Sequence, residues 1–223
     1  MQDGLIQNAI EINGTSFSAY TYTLEKLTQI FPNATNALIL GFGAGVVPQK
    51  LRQKGIEVSV VEINPDTLEI AKKYFHYQQK GTKFFFEDAR TFLKNCVNEY
   101  DIVVLDLFHG DGMPEHMMTK ESFQDIKTCL HKDGILISNI FVGLAKEEAW
   151  KSTLATVNSV FSNVHFFHRR TKFDKDDKIK LTNANIVATK NEKQNVVNTL
   201  VNSLLSTLLT PVESVSTHLQ LNF

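Results

Sequence analysis

NALILGFGAGVVPQKLRQKGIEVSVVE, residues 36–62, runs from an apolar strand into glycines at 41, 43 and 45, then through a helical pattern to a second strand ending in Glu62. Glycine lets the chain turn sharply and lets its backbone approach a ligand closely, and the helix that follows points unsatisfied N–H groups at that ligand. A carboxylate 21 positions after Gly41 is placed to chelate a ribose diol. The spacing is G-x-G-x-G, with Gly45 one position earlier than in the G-x-G-x-x-G of dinucleotide enzymes. That favours S-adenosylmethionine or a relative over NAD.

Outward from this unit, apolar strands and helical patterns alternate strictly. Strands are expected at 37–40, 58–63, 83–86, 102–107 and 135–140, and helices near 45–54, 66–75, 89–96, 119–131 and 145–161. Alternation of this kind means a parallel sheet. Strands at 163–168 and 186–189 flank the charged stretch KFDKDDKIK, residues 172–180, which reads as a solvated hairpin loop. The expected fold is α/β and Rossmann-like, a doubly wound, mostly parallel sheet of seven strands with a C-terminal β-hairpin, as in class I S-adenosylmethionine methyltransferases.

Three segments follow. Residues 1–35 read as the remnant of an N-terminal β region, with a hairpin at Asn13-Gly14 and a lead-in helix near Tyr20 to Phe31. Residues 36–190 form the nucleotide-binding catalytic domain. Residues 191–223 carry an amphipathic helix and tail, with Val197, Leu200, Val201, Leu204, Leu205 and Leu208 at helical spacing. That stripe is expected to pack against this domain or against a second subunit in a homodimer.

A chain of 223 residues, 43% of them hydrophobic, can bury one sizeable core. With 23 basic and 24 acidic residues and no long basic run, nothing invites nucleic acid, and a small or cationic substrate suits the charge better. No stretch reaches the length of a membrane-spanning helix, so a soluble, cytoplasmic domain is expected, attached to a membrane only if it belongs to a longer parent chain. Two cysteines, Cys96 and Cys129, are too few for a disulfide framework and read as inert core thiols in a reducing compartment.

Four carboxylates and their neighbours are candidates for chemistry. Glu62 closes the second strand in VVEINP, with Ile63 beside it, and reads as a ribose ligand or as an exposed strand-end charge. Asp88 and Ala89, in FFFEDAR, stand at the same sheet edge, where the Asp88 side chain or the Ala89 amide could read an adenine; an N-cap is the competing role for Asp88. Asp106 ends the fourth strand inside the apolar run YDIVVLDLF, where desolvation should perturb it. It is the expected catalytic group, binding a substrate amine and taking its proton, with anchoring of the Gly110–Gly112 loop as the structural alternative. Asp106, His109, Asp111 and His116 fall within eleven positions but without a recognised ligand spacing, so no metal is expected.

Taken together these residues resemble the spermidine synthase family. The similarity covers most of residues 3 to 142: DGLIQ at 3–7, LILGFGAG, VEINP, EDAR at 87–90, YDIVVLD at 100–106 and MPEHMMTKESFQD at 113–125 stand in the family's order. The resemblance implies a methyltransferase-type fold and transfer of an aminopropyl group from decarboxylated S-adenosylmethionine to a polyamine. It implies Gly41, Gly43, Gly45, Glu62, Ile63, Asp88 and Ala89 as ligands of the adenosyl substrate, Tyr22, Asp106 and His109 as the acceptor side, and Asp106 as the base.

The departures bear on chemistry. The family's glycine motif reads GGGDG, its Asp contacting the aminopropyl amine, and Ala44 stands there in this chain; His109 occupies the place of the family's second strand-four acid. The family's tyrosine-glutamine pair is represented loosely by Tyr20 or Tyr22, and its C-terminal tyrosine-proline loop and most of its N-terminal β domain lack counterparts. The set DGxIQ, YTY, GxGAG and DxFxGxxxP is similar to a subgroup that includes spermidine-synthase-like domains fused behind membrane transporter segments. The alternatives are an S-adenosylmethionine-dependent methyltransferase with an unknown acceptor, or a nucleotide-sensing domain that no longer transfers.

Overall fold

The computed structural model describes residues 19–28, 31, 33–108, 112–142, 147–168 and 182–191. Helix α1 (Ala19–Thr28) precedes five strand-helix units: β1 (Asn36–Leu40) and α2 (Val46–Gln53), β2 (Glu57–Val61) and α3 (Asp66–Phe75), β3 (Thr82–Phe85) and α4 (Ala89–Leu93), β4 (Tyr100–Leu105) and α5 (Lys120–Cys129), and β5 (Leu130–Val142) and α6 (Glu147–Asn158). β6 (Asn163–His168) and β7 (Thr182–Thr189) close the series. The strand order is β3-β2-β1-β4-β5-β7-β6, with β1 to β5 parallel and β7 antiparallel to both neighbours. This is the class I S-adenosylmethionine-methyltransferase arrangement.

Because helices cover both faces, the central strands are apolar throughout instead of alternating. One face carries Leu38, Leu40, Val103, Leu105, Leu136 and Ile140 against Leu93 of α4, Phe123 and Ile126 of α5 and Val157 of α6. The other carries Ala37, Ile39, Ile102, Val104, Ile135 and Ile137 against Leu24 of α1, Val47 and Leu51 of α2 and Leu68 of α3. The order reverses between β1 and β4, and in open α/β sheets ligands bind in the crevice beyond the carboxyl ends of the strands at such a switch point. Among the described residues no helix is long and apolar enough to cross a membrane.

Several boundaries differ from expectation. β2 and β4 stop at Val61 and Leu105, leaving Glu62 and Asp106 just past the strand ends. Backbone pairing nevertheless continues one step further, Glu62 N to Phe85 O at 3.0 Å and Asp106 N to Leu40 O at 2.9 Å, so both residues are held as firmly as strand residues. α5 ends at Cys129 because Leu130 already pairs with Tyr100 across a bulge, which starts β5 five residues early. β7 likewise begins at Thr182, where its pairing with β5, which starts from Ile135 opposite Thr189, reaches Val142.

The cysteines correct the expectation of separate thiols. Cys96 and Cys129 form a disulfide with Cα atoms 4.8 Å apart. Backbone bonds from Asn98 N to Thr128 O and from Glu99 N to Cys129 O bring the end of α5 against the turn after α4, which juxtaposes two residues 33 positions apart. Cysteine usage therefore no longer argues for a reducing compartment. The hairpin at Asn13-Gly14, the DGLIQ motif, the charged loop and the C-terminal stripe all lie outside the described residues.

Candidate active site

The glycine turn is built against the end of β4. Gly41 has φ +95°, and a Cβ there would lie 2.3 Å from the backbone oxygen of Asp106. No side chain fits, so the turn after β1 packs directly on the residue after β4. Gly43 (φ +54°) is the reverse case: a Cβ would meet nothing within 4 Å. The backbone there is bare toward the crevice, as close approach of a ligand requires. Gly45 is the N-cap of α2, and Phe42 anchors the turn from below, its ring edge-on to Tyr77 at 4.8 Å and to Phe84 at 5.0 Å. Ala44, where the resembled family carries an acid, is buried.

Glu62 bridges the first two strand ends. Its Oε2 accepts from Phe42 N at 3.1 Å and its Oε1 from Asn64 N at 2.9 Å. Each carboxylate oxygen can accept a second hydrogen bond, so a vicinal diol could still be chelated. Ile63, next to it, is 69% exposed and leaves an apolar face open beside that carboxylate.

Asp88 caps α4, its Oδ1 accepting from Thr91 N at 3.0 Å, while its Oδ2 meets His116 Nε2 at 3.0 Å. Partial burial pushes the Asp88 carboxyl up, but the Thr91 amide and the His116 partner outweigh it and hold it below its ordinary value. The N-cap role is thus present, and Ala89 opens α4 as a buried residue. His116 sits on a short 3₁₀ turn (Glu115–Met117), so the sequence motif after β4 and the one after β3 meet through this pair.

Asp106 is the most perturbed acid among the described residues. Its carboxyl is largely enclosed although the residue keeps some exposure, and burial raises it from an ordinary 3.8 to about 6 against a lowering hydrogen bond from Asn139. Asn139 Nδ2 donates to Asp106 Oδ1 at 2.8 Å, and Asn183 Nδ2 donates to Asn139 Oδ1 at 3.0 Å. Phe108 and Phe141, ring centroids 4.5 Å apart, form an aromatic pair at the ends of β4 and β5. A carboxyl near 6 is ionised at neutral pH yet basic enough to take a proton.

The structure therefore brings Gly41, Gly43, Gly45, Glu62, Ile63, Asp88, Ala89 and Asp106 to the carboxyl ends of β1 to β4. Tyr22 lies on α1 with its side chain outside the described residues, and His109 and Asp111 lie outside them entirely. Of the four residues with metal-ligand chemistry, His116 is engaged by Asp88, and among the described residues no group of three or more ligating side chains is assembled. Asn139 and Asn183 were missed by sequence reasoning. The only available signal was an asparagine inside the apolar run GILISNIFV.

Residues 19–173 match the family model described as the spermine/spermidine synthase domain. The chain belongs to that family. This family member is 34% identical over 142 residues to a polyamine aminopropyltransferase of Vibrio vulnificus, an alignment covering 61% of this chain and 46% of that protein. It is 30% identical over 138 residues to an N-terminal histidine N-methyltransferase of Emericella nidulans, covering 60% of this chain and 24% of the other. The chain thus spans less than half the length of these relatives. Among solved structures, a probable spermidine synthase from Corynebacterium glutamicum superposes with a TM-score of 0.73 at 18% identity, over 88% of this chain and 74% of that one, which is a likeness of fold.

Proposed function

We propose that the chain is a transferase that binds decarboxylated S-adenosylmethionine and moves its aminopropyl group to the amine of a polyamine. The observation that carries this reading is Asp106: a carboxyl raised to about 6, hydrogen-bonded by Asn139, with its backbone against the glycine turn at the switch point. At pH 7 roughly nine-tenths of such a carboxyl is ionised, so it attracts a protonated amine and then accepts its proton. In the transfer, the freed nitrogen lone pair forms a bond to the aminopropyl carbon beside sulfur. The carbon–sulfur bond breaks with its electron pair going to sulfur, leaving methylthioadenosine, and the proton that nitrogen sheds ends on the solvent through Asp106. Holding both reactants in line supplies much of the acceleration.

The adenosyl group is assigned to Gly41, Gly43, Gly45, Glu62, Ile63, Asp88 and Ala89, with Tyr22 and His109 beside Asp106 on the acceptor side. The bare backbone at Gly43, the spare acceptor capacity of Glu62 and the open apolar face of Ile63 support that assignment. The Vibrio relative supports the aminopropyl donor.

A second reading, methyl transfer from S-adenosylmethionine, is favoured by one observation: Ala44 offers no acid to an aminopropyl ammonium, and it is buried. Calorimetric titration with decarboxylated S-adenosylmethionine, S-adenosylmethionine and methylthioadenosine, each with and without putrescine, separates the two. Tighter binding of the decarboxylated form, strengthened by putrescine, is expected. Tighter binding of S-adenosylmethionine would overturn the aminopropyl reading in favour of methyl transfer.

A further inference from the structure

Asp106 is linked through two hydrogen bonds to a residue two strands away. Asn139 is 1% exposed on β5, and Asn183 stands on β7, where the register pairs Asn139 with Asn185 and Asn183 with Phe141, making Asn139 and Asn183 diagonal neighbours on one sheet face. A carboxamide has a donor end and an acceptor end. Turned one way, Asn139 presents N–H to the Asp106 carboxylate and favours its charge; turned the other way, it presents an oxygen and opposes it. Asn183 backs the first orientation: its Nδ2 donates to Asn139 Oδ1, which leaves Asn139 Nδ2 to face Asp106.

We propose that Asn139 and Asn183 form a positioning relay that holds Asp106 in one orientation and keeps it ionised for taking the acceptor proton, an inference that rests on the proposed role of Asp106 as base. Burial alone drives this carboxyl toward its neutral form, and among the described residues Asn139 is the one group that opposes that drift; no charged side chain among them contributes. Asn183 never touches Asp106, so an effect of Asn183 on Asp106 titration has no explanation in direct contact.

The test follows the Asp106 carboxyl by NMR titration in the wild-type protein and in Asn139→Ala, Asn183→Ala and Asn183→Ser, alongside the pH profile of kcat/KM for aminopropyl transfer. Loss of a hydrogen bond to a charged acceptor should raise the Asp106 midpoint by about one pH unit in Asn139→Ala. Asn183→Ala should raise it by a smaller amount in the same direction, Asn183→Ser, which keeps a donor, should return it toward wild type, and the acid limb of kcat/KM should move in step while KM for the adenosyl substrate stays constant. Asn183 is only half-buried, so its variants remain informative if the Asn139 change prevents folding. A wild-type titration in Asn183→Ala would overturn the relay. Retention of transfer by Asp106→Asn would instead overturn the role of Asp106 as base, and the NMR titration would still decide whether the relay exists.

Discussion

Replacing Asp106 by asparagine should make the protein more stable while abolishing transfer. The buried carboxyl is raised from 3.8 to about 6, a shift of about two units, and at about 1.36 kcal/mol per unit its ionisation costs the folded state on the order of 3 kcal/mol. The residue keeps some solvent contact, which brings the expected gain closer to about 2 kcal/mol. Asparagine is nearly isosteric, and its oxygen still accepts from Asn139, so that hydrogen bond is kept. The sign follows from linkage. A folded-state value raised above the unfolded one leaves stability intact below pH 3.8, where both states are protonated, and removes it as pH rises through 6. Equilibrium urea denaturation should therefore show the full advantage of Asp106→Asn at pH 8 and about a third of it at pH 4.5. Equal stability of the two proteins at pH 8, or an advantage that does not change with pH, would refute the reasoning, because the carboxyl would then not be desolvated.

Other perturbations give distinct signatures. Glu62→Ala removes the acceptor proposed to chelate a ribose and unpins the Phe42 amide, so calorimetry should show adenosyl-ligand binding weakened about ten- to a hundredfold, with the fold retained by circular dichroism. At the opposite end of the sheet, Asp101 accepts from Thr35 N at 2.7 Å, Thr35 Oγ1 at 2.9 Å and His131 Nδ1 at 2.8 Å. Burial raises this carboxyl, but the His131 and Thr35 hydrogen bonds prevail and lower it, so its stabilisation is present above the ordinary carboxylate range and lost as pH falls through the lowered value. Asp101→Asn should thus cost about 2 kcal/mol in urea at pH 7 and progressively less as pH falls below the ordinary carboxylate range. Reduction of the Cys96–Cys129 disulfide opens a loop of 33 positions and should lower stability by on the order of 3 kcal/mol, read as a drop in the denaturation midpoint on adding a reductant.

The parts of the fold legible in the sequence are those that local pattern controls. α3 runs over 66–75 as expected, because Pro65 precedes it and its apolar spacing leaves little freedom; the glycine turn and the apolar strands around it follow from the same logic. Glu62, Asp88 and Asp106 could be picked out because a carboxylate at the end of an apolar strand needs a reason. What Asp88 binds was not legible, since His116 reaches it from a turn 28 positions away. The Asn139–Asn183 pair depends on the register of β5 against β7, and the disulfide on how the end of α5 docks against the turn after α4. Both are tertiary facts that neither composition nor periodicity carries. Strand ends were misjudged where pairing with a distant neighbour, as in β5, outlasted the local signal.

The central claim is most directly tested by incubating the protein with decarboxylated S-adenosylmethionine and putrescine and following products by mass spectrometry. The account predicts spermidine and methylthioadenosine in equal amounts from the wild-type protein and neither from Asp106→Asn. Absence of both products from the wild-type protein, with methylated product appearing from S-adenosylmethionine instead, would contradict it.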